Sequence, residues 1–159
     1  MISVKFITVG TLKEQYLKDA VSEYEKRLGG FCKLTHVNIK EEKLPDSPTS
    51  GDIGRALNAE ADKILSQLSP RSYKIAMCVE GGQLSSEQLS ERLDSISASY
   101  SEVCFVIGSS HGLSDKVKEM CDMKLSVSRL TFPHQLMRVI LLEAVYRAFN
   151  ISRGTNYHK

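Results

Sequence analysis

The side chains best suited to chemistry gather in the last part of this 159-residue chain. From Leu125 to Lys159 it reads LSVSRLTFPHQLMRVILLEAVYRAFNISRGTNYHK. Five cations (Arg129, Arg138, Arg147, Arg153 and Lys159) stand here against one acid, Glu143, in a protein whose formal net charge is only +2. Positive charge held next to one end points to a phosphate-bearing or polyanionic partner there. The closing RGTNYHK combines cations suited to phosphate with a ring suited to base stacking. That is the mix of an RNA-contacting segment, or else of an idle surface tail.

Two further segments could shape a ligand site. In IGSSHGL, Gly108 and Gly112 allow positive φ and close approach of backbone to a ligand, or simply a tight turn. The loop has neither the GxGxxG spacing of a dinucleotide site nor the GK[ST] ending of a phosphate loop. In SRLTFPH, Pro133 suits the first turn of a helix that Thr131 can cap. The residues before it are then extended or turned, with backbone groups free to read an adenine edge, or they form a plain strand-to-helix turn.

Other chemistries find little support. Cys32, Cys78, Cys104 and Cys121 form no CxxC pair and read as reduced core thiols. His36, His111, His134 and His158 lack ligand spacing, so no metal is expected. No segment approaches the length of a membrane span, and the opening apolar run is too short for a signal peptide, so a cytoplasmic protein is expected. Hydrophobic content of 42% and charged content of 25% suit one soluble domain over residues 1–159.

The elements that must position these residues alternate. Strands are expected at 2–9, 32–39, 73–79, 102–107 and 123–127. Helices are expected at 13–28, 53–68, 86–98, 114–119 and 135–149, with a polar, proline-bearing loop at 41–52 and a turn at Glu80-Gly81-Gly82. This order predicts an α/β fold with a mostly parallel sheet flanked by helices. Ligands then bind beyond the carboxyl ends of the strands, near Met77, Gly108, Val127 and Ser128. The final helix is apolar nearly all round. It is either fully internal or covered on one side by a second copy. Arg138 and Arg147 on it are rim charges or reach into a site.

FVIGSSHGLSDKV, the run from Leu125 to Ile151 and the closing RGTNYHK together resemble the ribosomal large-subunit RNA methyltransferase H family, of the SPOUT class. The likeness extends over essentially the whole chain, including ISVKFITVGTLKEQY at its start. It implies a SPOUT-type fold with a C-terminal trefoil knot, which the usual rules of topology would not anticipate. It also implies methyl transfer from S-adenosylmethionine to N3 of a pseudouridine in large-subunit ribosomal RNA, by a homodimer acting on the assembled ribosome. Matched positions put the donor against Met77, Gly108, Val127, Ser128, Arg129, Leu130, Thr131 and Phe132. They put His134, Arg138, Tyr157, His158 and Lys159 near the acceptor base, with the tail building the acceptor side of the pocket. His134 or His158 would take the N3 proton, and Lys159 or Arg153 would stabilise the anion. One departure stands out: relatives commonly carry glycine where this chain has Ser109, and positive φ there would strain a serine. The competing readings are a non-catalytic RNA-binding assembly factor of the same fold and a flavodoxin-like nucleotide binder.

Overall fold

The computed structural model describes residues 1–159. The order is β1 (Ser3–Val9), α1 (Gln15–Leu28), β2 (Lys33–Ile39), α2 (Ser50–Ser66), β3 (Ser72–Gly82), α3 (Ser86–Ser99), β4 (Glu102–Ile107), α4 (Asp115–Met120), β5 (Met123–Leu125) and α5 (His134–Ser152). The five strands form one sheet in the order β2-β1-β4-β3-β5. Every pairing in it is parallel.

The central strands are continuous apolar runs because both faces of the sheet are covered. Val4, Phe6, Ile75, Met77, Val103, Phe105 and Ile107 point to one face and pack under α1, α3 and α5. Ile7, Val9, Ala76, Cys104 and Val106 point to the other, under α2 and α4. Phe6 and Phe105 stack across β1 and β4 with centroids 5.4 Å apart. Cys32 and Cys104 are buried, Cys78 and Cys121 are half-buried, and all four are free thiols.

Helix starts follow from local side-chain chemistry. Thr49 and Ser85 each close a reciprocal capping box, with Asp52 and Gln88 respectively. The last helix departs from expectation. Pro133, not Thr131, takes the N-cap position, with no side-chain cap, and the helix runs from His134 to Ser152. It is also not buried all round. Arg138, Leu141, Leu142, Val145 and Ala148 face the core, whereas Leu136 and Ile140 are half-exposed and belong to neither core.

The ends of β3, β4 and β5 come together through close backbone approaches. Met77 pairs with Ile107 on one side and Leu125 on the other, so the three strands end level. Beyond Met77, β3 bulges and returns to pair Gly82 with Leu125, so Glu80-Gly81-Gly82 belongs to the strand and is not a free turn. A Cβ at Gly81 would stand 2.6 Å from the Leu125 backbone, so only glycine fits there. The Ser126 amide donates to Gly82 O at 2.9 Å.

Candidate functional site

Above these level strand ends lies a cavity of about 620 Å³. Its floor is Met77, Ile107 and Leu125; its walls are the loops after β3, β4 and β5 and the first turn of α5. Gly108, the first residue after β4, turns so tightly that a Cβ there would sit 2.2 Å from Gly112 O. Gly112 closes the turn with φ +83° and donates its amide to Ser109 O at 2.9 Å. Ser109 itself is buried and has no positive φ, so serine fits without strain.

The segment Val127–Phe132 forms the facing wall. It is pinned by Ser126 Oγ donating to Ser128 O at 2.8 Å and by the Leu130 amide donating to Ser128 Oγ at 3.0 Å. No other backbone amide between Val127 and Phe132 has a partner within the chain. A row of free amides and carbonyls along an apolar slot suits the edge of a planar heterocycle.

Of the residues singled out in sequence, Met77, Gly108, Val127, Ser128, Leu130, Thr131, Phe132 and His134 line this one cavity. Arg129 does not line it; it is exposed and makes no ion pair, although its neighbours Ser128 and Leu130 do line it. Arg138 lies one turn beyond His134 and is 4% exposed. Its guanidinium donates to Val9 O at 2.8 Å and Gly10 O at 2.7 Å, and its Nε has no partner. It thus ties α5 to the end of β1 and is no rim charge.

His134 is half-buried. Desolvation, then the nearby Arg138 charge, hold its pKa below the ordinary histidine value, with Lys13 adding to the effect and Glu41 opposing it. A neutral imidazole on a cavity wall can accept a proton.

The C-terminal tail is ordered, but on its own chain it lies elsewhere. Tyr157 donates its hydroxyl to Glu143 at 3.0 Å, and its ring packs against Tyr146 and under Arg147. Burial first, then Glu143, push its pKa up to about 12. His158 meets Glu87 through Nε2 at 3.0 Å and Arg147 through Nδ1 at 3.3 Å. Lys159 is exposed. Glu143 lies nine residues past His134, about 14 Å along the helix axis. Arg153 is engaged too, donating to Gly30 O at 3.0 Å over the Phe31 ring.

Sequence reasoning missed Ser126, Glu80, His111 and Lys118, which also line the cavity. Ser126 and Glu80 flank strand ends, and the rule that ligands sit beyond those ends could have found them. Lys118 reaches the wall from α4, 38 residues from its partner Glu80, and left no local signal. No group of three or more His, Cys, Asp or Glu side chains converges as metal ligands would. No helix is long and apolar enough to cross a membrane.

Comparison with known proteins bears on this geometry. Residues 2–158 match the family model described as predicted SPOUT methyltransferase. The chain is 43% identical over 159 residues to the ribosomal RNA large subunit methyltransferase H of Streptococcus suis, spanning 99% of this chain and 100% of that one. It is 46% identical to the proteins of that name from Streptococcus thermophilus and Bacillus pumilus, again across 99% of this chain and 100% of theirs.

Proposed function

The chain belongs to the SPOUT methyltransferases and, within them, to the ribosomal RNA large subunit methyltransferase H family, and we propose on that footing that it methylates large-subunit ribosomal RNA with S-adenosylmethionine as donor. The acceptor is N3 of a pseudouridine, presented by the assembled ribosome in the cytoplasm. Residues 1–159 act as one domain, and membership of the SPOUT family supports a trefoil knot in the C-terminal third.

The observation that carries this reading is the convergence of three strand ends, a row of free backbone groups and a neutral histidine on one cavity. The volume lies within the range of small-molecule sites, roughly 300–1,000 Å³. The residues fit the donor. Met77 and the Gly108 turn form its floor, and Val127–Phe132 offers amides and carbonyls to the adenine edge. When bound, the donor supplies a methyl group already activated on a sulfonium.

The protein's own part is alignment and proton management. Holding N3 in line with the methyl carbon is worth several kcal/mol in favourable cases, roughly 7–11 at the limit. His134 takes the N3 proton; His158, engaged with Glu87 and Arg147, is the weaker candidate. Arg138 holds the start of α5 to β1 and so fixes the imidazole's position. Arg129, exposed and without an ion pair, meets RNA phosphate.

The working form is a homodimer. Val79 and Leu130 are 77% and 72% exposed at the cavity rim, and Leu136 and Ile140 continue an apolar strip down α5. A second copy seated there covers that strip. Because each tail lies well away from its own His134, the tail that roofs a cavity is the second copy's.

Mass mapping of ribosomal RNA from cells lacking the protein tests the proposal. One large-subunit oligonucleotide should be lighter by a single methyl group. Purified protein and donor should restore it on isolated ribosomal particles and not on naked RNA. Identical maps with and without the protein would sink the reading.

A further inference from the structure

The cavity wall is almost without formal charge. Apart from its two histidines, only Glu80 and Lys118 bring any, one from the extended end of β3 and one from α4. They meet there, Lys118 Nζ donating to Glu80 Oε1 at 2.5 Å. The lysine side chain is 17% exposed and the glutamate side chain 48%. Its hydrogen bond is the largest influence holding the Glu80 carboxyl below the usual carboxylate range. Lys124 faces the same carboxylate, and Asp115 and Cys78 face the ammonium. Lys13, Glu41 and Arg138, which set the charge on His134, act on neither member of the pair.

An ion pair whose carboxylate is half open to water adds little to folding, because solvent screens the attraction and ordering both side chains costs entropy. A site that uses the charges gives them a purpose. Lysine offers three N–H donors and Glu80 takes one, so two remain for a ligand. S-Adenosylmethionine has one zwitterionic part, the α-amino and α-carboxylate groups of its amino-acid tail. Everything else in the molecule, the sulfonium apart, is neutral. An ammonium and a carboxylate side by side are the complement of a zwitterion, because the four charges alternate in sign around a ring.

We propose that Glu80 and Lys118 form the subsite for the amino-acid tail of the donor: Lys118 holds its carboxylate and Glu80 its ammonium. This rests on S-adenosylmethionine being the donor and adds a pair of residues and an orientation. The tail points toward β3 and α4. The adenine lies against Val127–Phe132, and the methyl group faces His134.

Two ligands separate this subsite from the rest of the cavity. S-Adenosylhomocysteine keeps the amino-acid tail and has no sulfonium; methylthioadenosine keeps the adenosine and lacks the tail. Calorimetry would compare wild type with Lys118→Met and Glu80→Gln, titrating methylthioadenosine by competition. Each variant should bind S-adenosylhomocysteine at least about tenfold more weakly, the usual loss for a hydrogen bond to a charged group. Each should bind methylthioadenosine within about twofold of wild type, which also certifies an intact cavity. Equal weakening of both ligands would make the pair a wall brace and overturn the proposal, as would undiminished binding of S-adenosylhomocysteine. Failure of wild type to bind either ligand would overturn the donor assignment itself, and this subsite with it.

Discussion

His134 shows how much of a side chain's acidity is made by its surroundings. Its chain neighbours, proline before and glutamine after, do nothing to its acidity. Burial at the cavity wall comes first, and the guanidinium of Arg138 second, in keeping its pKa below the ordinary value of about 6.5. The sign follows directly. Below the folded pKa the ring is charged and cannot accept a proton; above it the ring is a base. The acidic limb of kcat/KM should therefore fall away at a pH below that of a free histidine, and His134→Gln should remove the limb. The rate should drop roughly 10²–10⁴-fold while S-adenosylhomocysteine affinity is kept. A limb at or above the ordinary histidine value, or one that survives the substitution, would exclude His134 as the base. Stability changes in the same direction. The unfolded chain takes up this proton at higher pH than the folded one, so the group's contribution is full above the ordinary histidine pKa. It is lost as pH falls from that value through the depressed one.

Elements decide which residues meet, and they are legible in the sequence to different depths. The apolar runs of β1, β3 and β4 are legible because parallel strands covered on both faces need apolar residues without interruption. The strand ends near Met77, Gly108 and Val127 are legible for the same reason, once parallel pairing is assumed. The bulged return of β3 is not. Glu80-Gly81-Gly82 reads as a turn, and only the approach of the Leu125 backbone turns it back into strand. The cap of α3 follows from Ser85 and Gln88, three residues apart, whereas that of α2 is missed: residues 41–52 read as loop, yet Thr49 with Asp52 starts the helix at Ser50 and not at 53. The start of α5 is missed as well, because the wall segment 126–132 is held by Ser126 and Ser128 and leaves Thr131 out of reach of the helix amides. Arg138 bonding Val9 and Gly10, and Lys118 bonding Glu80, join residues far apart in the chain and leave no pattern in sequence. The Gly108 turn gives the sharpest test at this scale. With Gly112 O only 2.2 Å from an added Cβ, Gly108→Ala must open the loop. Affinity for S-adenosylhomocysteine should fall at least about tenfold with the circular dichroism of the fold unchanged. Near-wild-type binding would mean that the turn is not part of the donor site.

At the scale of the whole molecule, the tail is anchored on one end of α5 and the cavity lies at the other. Tyr157 and His158 are fixed to Glu143, Arg147 and Glu87, none of which lines the cavity. The apolar strip through Leu136 and Ile140 is the surface on which the proposed two-fold partner would sit, and in that dimer each tail would reach the opposite copy's His134. Each site then draws on both chains, and that can be tested by complementation. Deleting Asn156–Lys159 should abolish methylation while leaving donor affinity within about a few-fold, since no donor-wall residue is removed. Gly108→Ala should abolish it from the donor side. Neither variant alone has a complete site. In a mixed dimer, the truncated chain supplies an intact cavity and the Gly108→Ala chain supplies an intact tail. Each mixed dimer should therefore work at up to about half the rate of a wild-type dimer, because one of two symmetric sites is whole, and an equimolar mixture after random exchange at up to about a quarter. If each tail instead served its own cavity, every chain in the mixture would still carry its own defect, and no amount of subunit exchange would recover methylation.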